Sequence, residues 1–137
     1  MNRDNKILFI CHGNVGRSQI AEAYYNHFTK SSDASSAGVD PKTPLKYPRL
    51  APEVLQIMQE EKIDLSYKKV KLITENMVEC ADNIIIMCKK EDCPNFVFKH
   101  RCIYFWEIED PYGVSTEKLR TLRNQIRFKV YELLKVY

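Results

Sequence analysis

Residues 7–18, ILFICHGNVGRS, constrain this chain more than any other stretch. Four apolar residues, Ile7, Leu8, Phe9 and Ile10, run into Cys11, and a loop containing Gly13 and Gly16 follows. Arg17 and Ser18 then open a helical pattern predicted over residues 19–30. Strand, loop and helix N-terminus in that order form an anion cradle, because unpaired backbone N–H groups and the positive dipole end converge there. A cysteine at its lip is expected to sit as thiolate, its pKa drawn from about 8.5 into the roughly 3.5–7.5 range. The combination predicts a thiolate that attacks a bound phosphate-like group.

Taken singly, these features are ordinary. A cysteine ending a buried strand is usually an inert core residue, and paired glycines serve many tight turns. Their clustering at one strand-to-helix junction is what points to chemistry. Cys11 is the candidate nucleophile, forming a covalent intermediate. His12, Gly13, Asn14, Val15 and Gly16, with Arg17, are the candidate oxyanion-binding set. The planar guanidinium of Arg17 matches a tetrahedral anion and stabilises the charge of the transition state. Ser18 is placed to hydrogen-bond the sulfur. Gly13 and Gly16 are expected to let the backbone turn its N–H groups inwards. Asn14 is expected to fix the loop through left-handed geometry or side-chain bonds. His12 reads as a wall residue, since a cradle-activated thiolate needs no base. A leaving oxyanion needs a proton, and Asp110, aimed by Pro111, is the candidate general acid. Glu107 and Glu109 stand nearby as alternatives; the plain reading of residues 110–113 is a turn before a helix.

At 137 residues the chain reads as a single domain over 1–137, large enough to bury a core without disulfides. No apolar run is long enough for a membrane span, and residues 1–6 lack a secretory h-region. A cytoplasmic setting with five reduced cysteines is the resulting expectation. A net charge of +3 favours anionic ligands, but no basic stripe interleaved with aromatics points to nucleic acid. Strands are predicted at 6–10, 34–37, 83–87 and 101–106, and helices at 19–30, 52–62, 74–80 and 116–136. The last helix has an apolar face of Leu119, Leu122, Ile126, Val130, Leu133 and Leu134. This alternation predicts an α/β fold, a four-stranded parallel sheet with helices on both faces. Its ligand should lie outside the strands' carboxyl ends, where Cys11, Cys88 and the 106–111 loop meet.

Cys11 and Arg17 with five residues between, followed by Ser-Gln-Ile-Ala-Glu, resemble the low-molecular-weight protein tyrosine phosphatases and the thioredoxin-coupled arsenate reductases of the same fold. The resemblance runs along nearly the whole chain, through Ser36-Ala37-Gly38, Ile63-Asp64-Leu65-Ser66 and Asp110-Pro111. Gly16 departs from it, standing where many members have a second loop cysteine. Lys68 stands where a histidine commonly braces the loop asparagine. Cys88 and Cys93 resemble the reductases' paired thiols, where the strand-end thiol attacks the Cys11–arsenic adduct and the second completes a disulfide. Gln19 also fits the reductases, since phosphatases usually carry proline there. Tyr112 fits the phosphatases, and with Tyr47 it is a candidate wall for an aryl phosphate.

The resemblance therefore implies two activities. The first is arsenate reduction with Cys88 and Cys93 as redox relay, drawing electrons from thioredoxin or another thiol donor. The alternative is hydrolysis of phosphotyrosine or aryl phosphates with Asp110 as acid. It implies no tightly bound cofactor except potassium, for which Asn14, Glu22, Ser36 and Asp64 fall at matching positions.

Other readings compete for particular residues. Residues 40–52, with Lys42, Lys46, Tyr47 and Arg49, read either as an overhang for an acidic partner or as a solvated connection. Cys88, Cys93, His100 and Cys102 have zinc-ligand chemistry, but a His-x-Cys pair on a strand converges poorly, and no metal site is expected. A non-catalytic phosphate-binding module would have little use for Cys11, Arg17 and Asp110 together. Cys80 and Cys102 are expected to be buried structural thiols, and His27 and His100 surface or packing residues.

Overall fold

The computed structural model describes residues 6–46 and 48–135. Its centre is β1 (Ile7–Cys11), buried along its whole length. On one side β1 pairs with β2 (Ala34–Gly38), and on the other with β3 (Asn83–Ile86), which carries β4 (Ile103–Phe105). All three pairings are parallel, in the order β2-β1-β3-β4. Parallel strands need crossover connections and covers on both faces, which is why β1, and β3 after Asn83, are apolar.

Side chains of β1 alternate between two cores. Ile7, Phe9 and Cys11 face the core formed with α1 (Arg17–Thr29), α2 (Pro52–Gln59) and α4 (Thr116–Lys135). Leu8 and Ile10 face a second core containing Val78 of α3 (Glu75–Cys80) and Val97. α4 lays Leu119, Leu122, Ile126 and Val130 against the first core, with Leu133 and Leu134 partly buried at its edge. The predicted fold class stands.

Boundaries differ in ways that matter to the site. β1 runs one residue further than predicted, so Cys11 is still paired, opposite Gly38. α1 begins at Arg17 rather than at residue 19, putting Arg17 and Ser18 in its first turn. α2 stops at Gln59, and Lys62 turns left-handed beyond it. Between β3 and β4 the chain forms two short 3₁₀ turns, Lys90–Asp92 and Asn95–Lys99, which apolar periodicity did not reveal. Cys80 is exposed and Cys102 half-buried, correcting the expectation that both are core thiols. Cys80 sits in the last turn of α3, where Val78 is buried in the core and Met77 packs partly buried against it.

Candidate active site

The C-terminal end of β1 and the first turn of α1 deliver Cys11 and its partners to one point. The Cys11 sulfur lies 2.9 Å from Ser18 Oγ and accepts from the Asn14 N–H at 3.3 Å. Asn14 takes the left-handed conformation (φ 57°) and is fully buried. Its Nδ2 donates to Ser18 Oγ at 2.7 Å. With that oxygen already accepting, the Ser18 hydroxyl proton is available to the sulfur, so a thiolate there would accept two hydrogen bonds.

Asn14 is itself braced. Its Oδ1 accepts from Gln19 Nε2 and from the Lys71 N–H, both at 2.9 Å. Gln19 Nε2 also donates to the Lys69 carbonyl at 3.0 Å, so the amide's orientation is fixed by two acceptors. Segment 69–73 in turn pairs with the end of β2: Gly38 donates to the Lys71 carbonyl at 2.8 Å and accepts from Ile73 at 2.9 Å. The brace that Lys68 does not give to Asn14 thus comes from Gln19 and a backbone amide.

Neither loop glycine takes a positive φ; the left-handed residue is Asn14. The glycine this loop cannot do without is Gly38. A Cβ there would lie 2.8 Å from the Gly13 carbonyl carbon, 2.9 Å from the Asn14 nitrogen and 3.0 Å from the His12 oxygen. All three are backbone atoms, which have little room to give.

Arg17 is buried, and its Nη1 donates to the carbonyl of Met87, and to that of Ile108 at 3.1 Å. A guanidinium has five N–H groups, so anchoring both on Nη1 leaves the Nε–Nη2 edge for an anion. The same two bonds tie the end of β3 and the 107–114 loop to the loop that follows β1.

In front of Cys11 opens a cavity of about 690 Å³ whose lining includes His12, Gly13, Val15, Gly16 and Arg17, with Lys46, Arg49, Asp110 and Tyr112. His12 is exposed, with Nε2 3.5 Å from Asp40 Oδ2, which suits a wall residue. Asp110 is exposed and accepts from the Tyr112 N–H at 3.0 Å. Tyr112 is 84% exposed on the rim. Tyr47 lies outside the described residues. Of the basic residues in 40–52, Lys46 and Arg49 reach the cavity lining and Lys42 does not.

Cys88 directly follows Met87, whose carbonyl holds Arg17, and its sulfur is 3.7 Å from that of Cys93. The two thiols share a hydrogen bond that either sulfur can donate. That bond, then burial and the nearby charge of Cys11, push the Cys88 thiol well above its ordinary range. The same bond draws Cys93 down, against burial and the charges of Asp92 and Glu91. Both cysteines are free. A pair this close can form a disulfide with a modest approach of the sulfurs.

The zinc reading of this region finds no ligand cluster: among the described residues no three His, Cys, Asp or Glu side chains gather as ligands. His100 lies 2.7 Å from the Ala81 carbonyl through Nε2, and its Nδ1 accepts from the Cys102 N–H at 3.0 Å. Nor do the potassium candidates assemble as a set. Ser36 Oγ donates to Glu22 Oε1 at 3.0 Å, but Glu22 Oε2 is met at 2.5 Å by the Lys68 ammonium. Asp64 is exposed, its carboxylate accepting from the Ser66 N–H. An ammonium already stands on the carboxylate, so these residues do not fit a potassium ion.

Sequence reasoning missed the bracing parts of the site: Lys71, Gly38's contact with the loop, and the Met87 and Ile108 carbonyls. A signal existed for Gln19, because a polar side chain one position beyond Ser18 on a buried helix must find partners.

Residues 6–136 match the family of low molecular weight phosphotyrosine protein phosphatases. A glutaredoxin arsenate reductase of Synechocystis sp. is 30% identical over 130 residues, covering 94% of this chain and 95% of the relative. An arsenate reductase solved in its phosphate-binding state superposes with a TM-score of 0.80 at 29% identity, covering 96% of this chain and 98% of the other. The low molecular weight protein tyrosine phosphatase of T. tengcongensis gives 0.80 at 25%, covering 98% and 100%.

Proposed function

Because the chain belongs to the low molecular weight phosphotyrosine protein phosphatase family and is a cysteine-based enzyme of it, we propose that its reaction is arsenate reduction. One observation carries the choice: Cys88 and Cys93 stand 3.7 Å apart at the end of β3, beside the carbonyl that anchors Arg17. A hydrolase needs no such pair.

The thiolate of Cys11 attacks arsenic, an S–As bond forms, and one arsenate oxygen leaves as water after protonation. The loop N–H groups and the Nε–Nη2 edge of Arg17 hold the remaining oxygens. Cys88, its proton passed to Cys93, attacks the Cys11 sulfur. An S–S bond forms, the S–As bond breaks, and its electron pair stays on arsenic, taking As(V) to As(III). Cys93, after losing that proton, then attacks the Cys88 sulfur, closing the Cys88–Cys93 disulfide and returning Cys11 as thiolate. A dithiol of the thioredoxin or glutaredoxin kind reduces that disulfide, supplying the two electrons of each turnover.

A second reading has its own support. Asp110 and Tyr112 stand on the wall of a cavity of about 690 Å³, roomy enough for an aryl phosphate as well as a bare oxyanion. There Cys11 takes the phosphoryl group, Asp110 protonates the leaving oxygen, and water completes hydrolysis. No helix among the described residues is long and apolar enough to cross a membrane, so either substrate is met without a spanning helix.

Replacing Cys88 and Cys93 singly with serine tests the choice. Each variant should lose dithiol-dependent arsenate reduction while retaining aryl phosphate hydrolysis and phosphate binding. Wild-type protein that hydrolyses phosphotyrosine well and never reduces arsenate would hand the site to the phosphatase reading.

A further inference from the structure

Beneath the phosphate loop lies a charge cluster that no step above uses. Glu22, on the second turn of α1, is 2% exposed, a carboxylate in the first core's wall. A buried carboxylate without a counter-charge is strongly unfavourable. Ser36 satisfies Oε1 at 3.0 Å, and the Lys68 ammonium meets Oε2 at 2.5 Å. The Lys68 side chain is itself only 22% exposed. Lys71 lies within reach of both charges, and burial lowers its ammonium's proton affinity against the pull of Glu22.

Lys68 also begins the strap that braces the loop. Lys69 offers its carbonyl to Gln19, and the Lys71 N–H bonds Asn14, whose side chain holds Ser18 against the Cys11 sulfur. The ion pair therefore ties that strap to α1, the helix that carries Ser18 and Gln19.

We propose that Lys68 is a built-in cation of this enzyme: its ammonium, paired with Glu22 under the loop, fills the place of an external monovalent ion and positions the strap that holds Asn14. Lys68 is a positioning residue, acting on the sulfur through Asn14 and Ser18. The inference holds whichever oxyanion Cys11 attacks, so its failure and that of the arsenate reading are separable.

The test uses thermal melting and the alkylation rate of Cys11 by iodoacetamide, followed at the Cys11 peptide, in potassium, sodium or choline chloride at equal ionic strength. Wild-type protein should give the same values in all three salts. Lys68→Ala opens space beside a buried carboxylate. In choline it should melt lower and alkylate Cys11 about tenfold more slowly, as expected when the supporting network loosens. Potassium should restore both saturably, and choline should not. Lys68→Arg should remain indifferent to the salt. A saturable response of the wild type to potassium would overturn the proposal, because Glu22 would then accept an external ion. So would a Lys68→Ala protein whose Cys11 reactivity is unchanged in choline. Should Lys68→Ala fail to fold in every salt, potassium included, rescue is absent and the proposal fails likewise.

Discussion

Within residues 11–18, the buried polar side chains of Asn14, Arg17 and Ser18 each have partners: Ser18 bonds Cys11 and Asn14 inside the loop, while Asn14 and Arg17 reach Lys71, Met87 and Ile108 on three other segments. Along residues 107–114, by contrast, Asp110 and Tyr112 face solvent, joined only by an Asp110 carboxylate to Tyr112 N–H turn bond. One side of the cavity, the proposed anion receptor, is held in place by buried hydrogen bonds. The other side carries Asp110, the proposed proton donor, and Tyr112 on an exposed loop, tied down where the Ile108 carbonyl accepts from Arg17. Buried networks hold position because any displacement leaves a polar group unpaired; exposed loops move freely because water replaces what they lose. The steps shared by the two proposed activities therefore fall on the braced side, and the residues proposed to choose a substrate fall on the exposed side.

Three substitutions test this division. Asp110→Asn should slow hydrolysis of aryl phosphates with poor leaving groups by about 10²–10⁴, with little effect on good leaving groups. Its Cys11 alkylation rate should match wild type; equal slowing for all esters would count against the acid role. Gly38→Ala strikes the opposite side from beneath. Its methyl must displace the backbone of His12, Gly13 or Asn14, costing about 1–3 kcal/mol of stability by overpacking. A displaced loop should also lower the rate of every Cys11-dependent reaction by roughly 10²-fold and weaken phosphate protection against alkylation. Preserved phosphate binding in this variant would show that the loop is not held as tightly as the contacts imply. Tyr112→Ala should have the smallest effect, raising KM for aryl phosphates by roughly tenfold or less and leaving arsenate kinetics unchanged. An equal change for arsenate would mean that the rim shapes the receptor itself.

The two thiols behind the loop extend the contrast. Their shared bond raises the Cys88 thiol and lowers that of Cys93, so at neutral pH Cys93 should alkylate before Cys88. Cys88→Ala removes that bond and should move the pH midpoint of Cys93 alkylation upward. A midpoint that stays in place would show that Cys93 is not drawn down by its neighbour.

The strand-to-helix junction that carries Cys11 and Arg17 is legible in sequence because its parts follow one another within residues 11–18. The parallel sheet is legible for a similar reason: β1 is an unbroken apolar run, β3 is one after Asn83, and the spacing between them leaves room for crossovers. Cys80 misled because a cysteine's type says little about burial on a helix as short as α3, where only Val78 is buried. Lys68 reads in isolation as a lost histidine brace. Its actual partner, Glu22, is 46 positions earlier and on another element.

From the order of its residues alone, this chain is committed to a cysteine at the end of a buried strand, a donor-rich loop and an arginine opening a helix, since local backbone geometry dictates those relations. Which groups hold that loop in place was decided by tertiary structure: Gln19 and the Lys71 amide on Asn14, Gly38 making room beneath it, Met87 and Ile108 anchoring Arg17. These contacts depend on parallel strands bringing distant segments within hydrogen-bonding range, and no local pattern encodes a distance across a sheet.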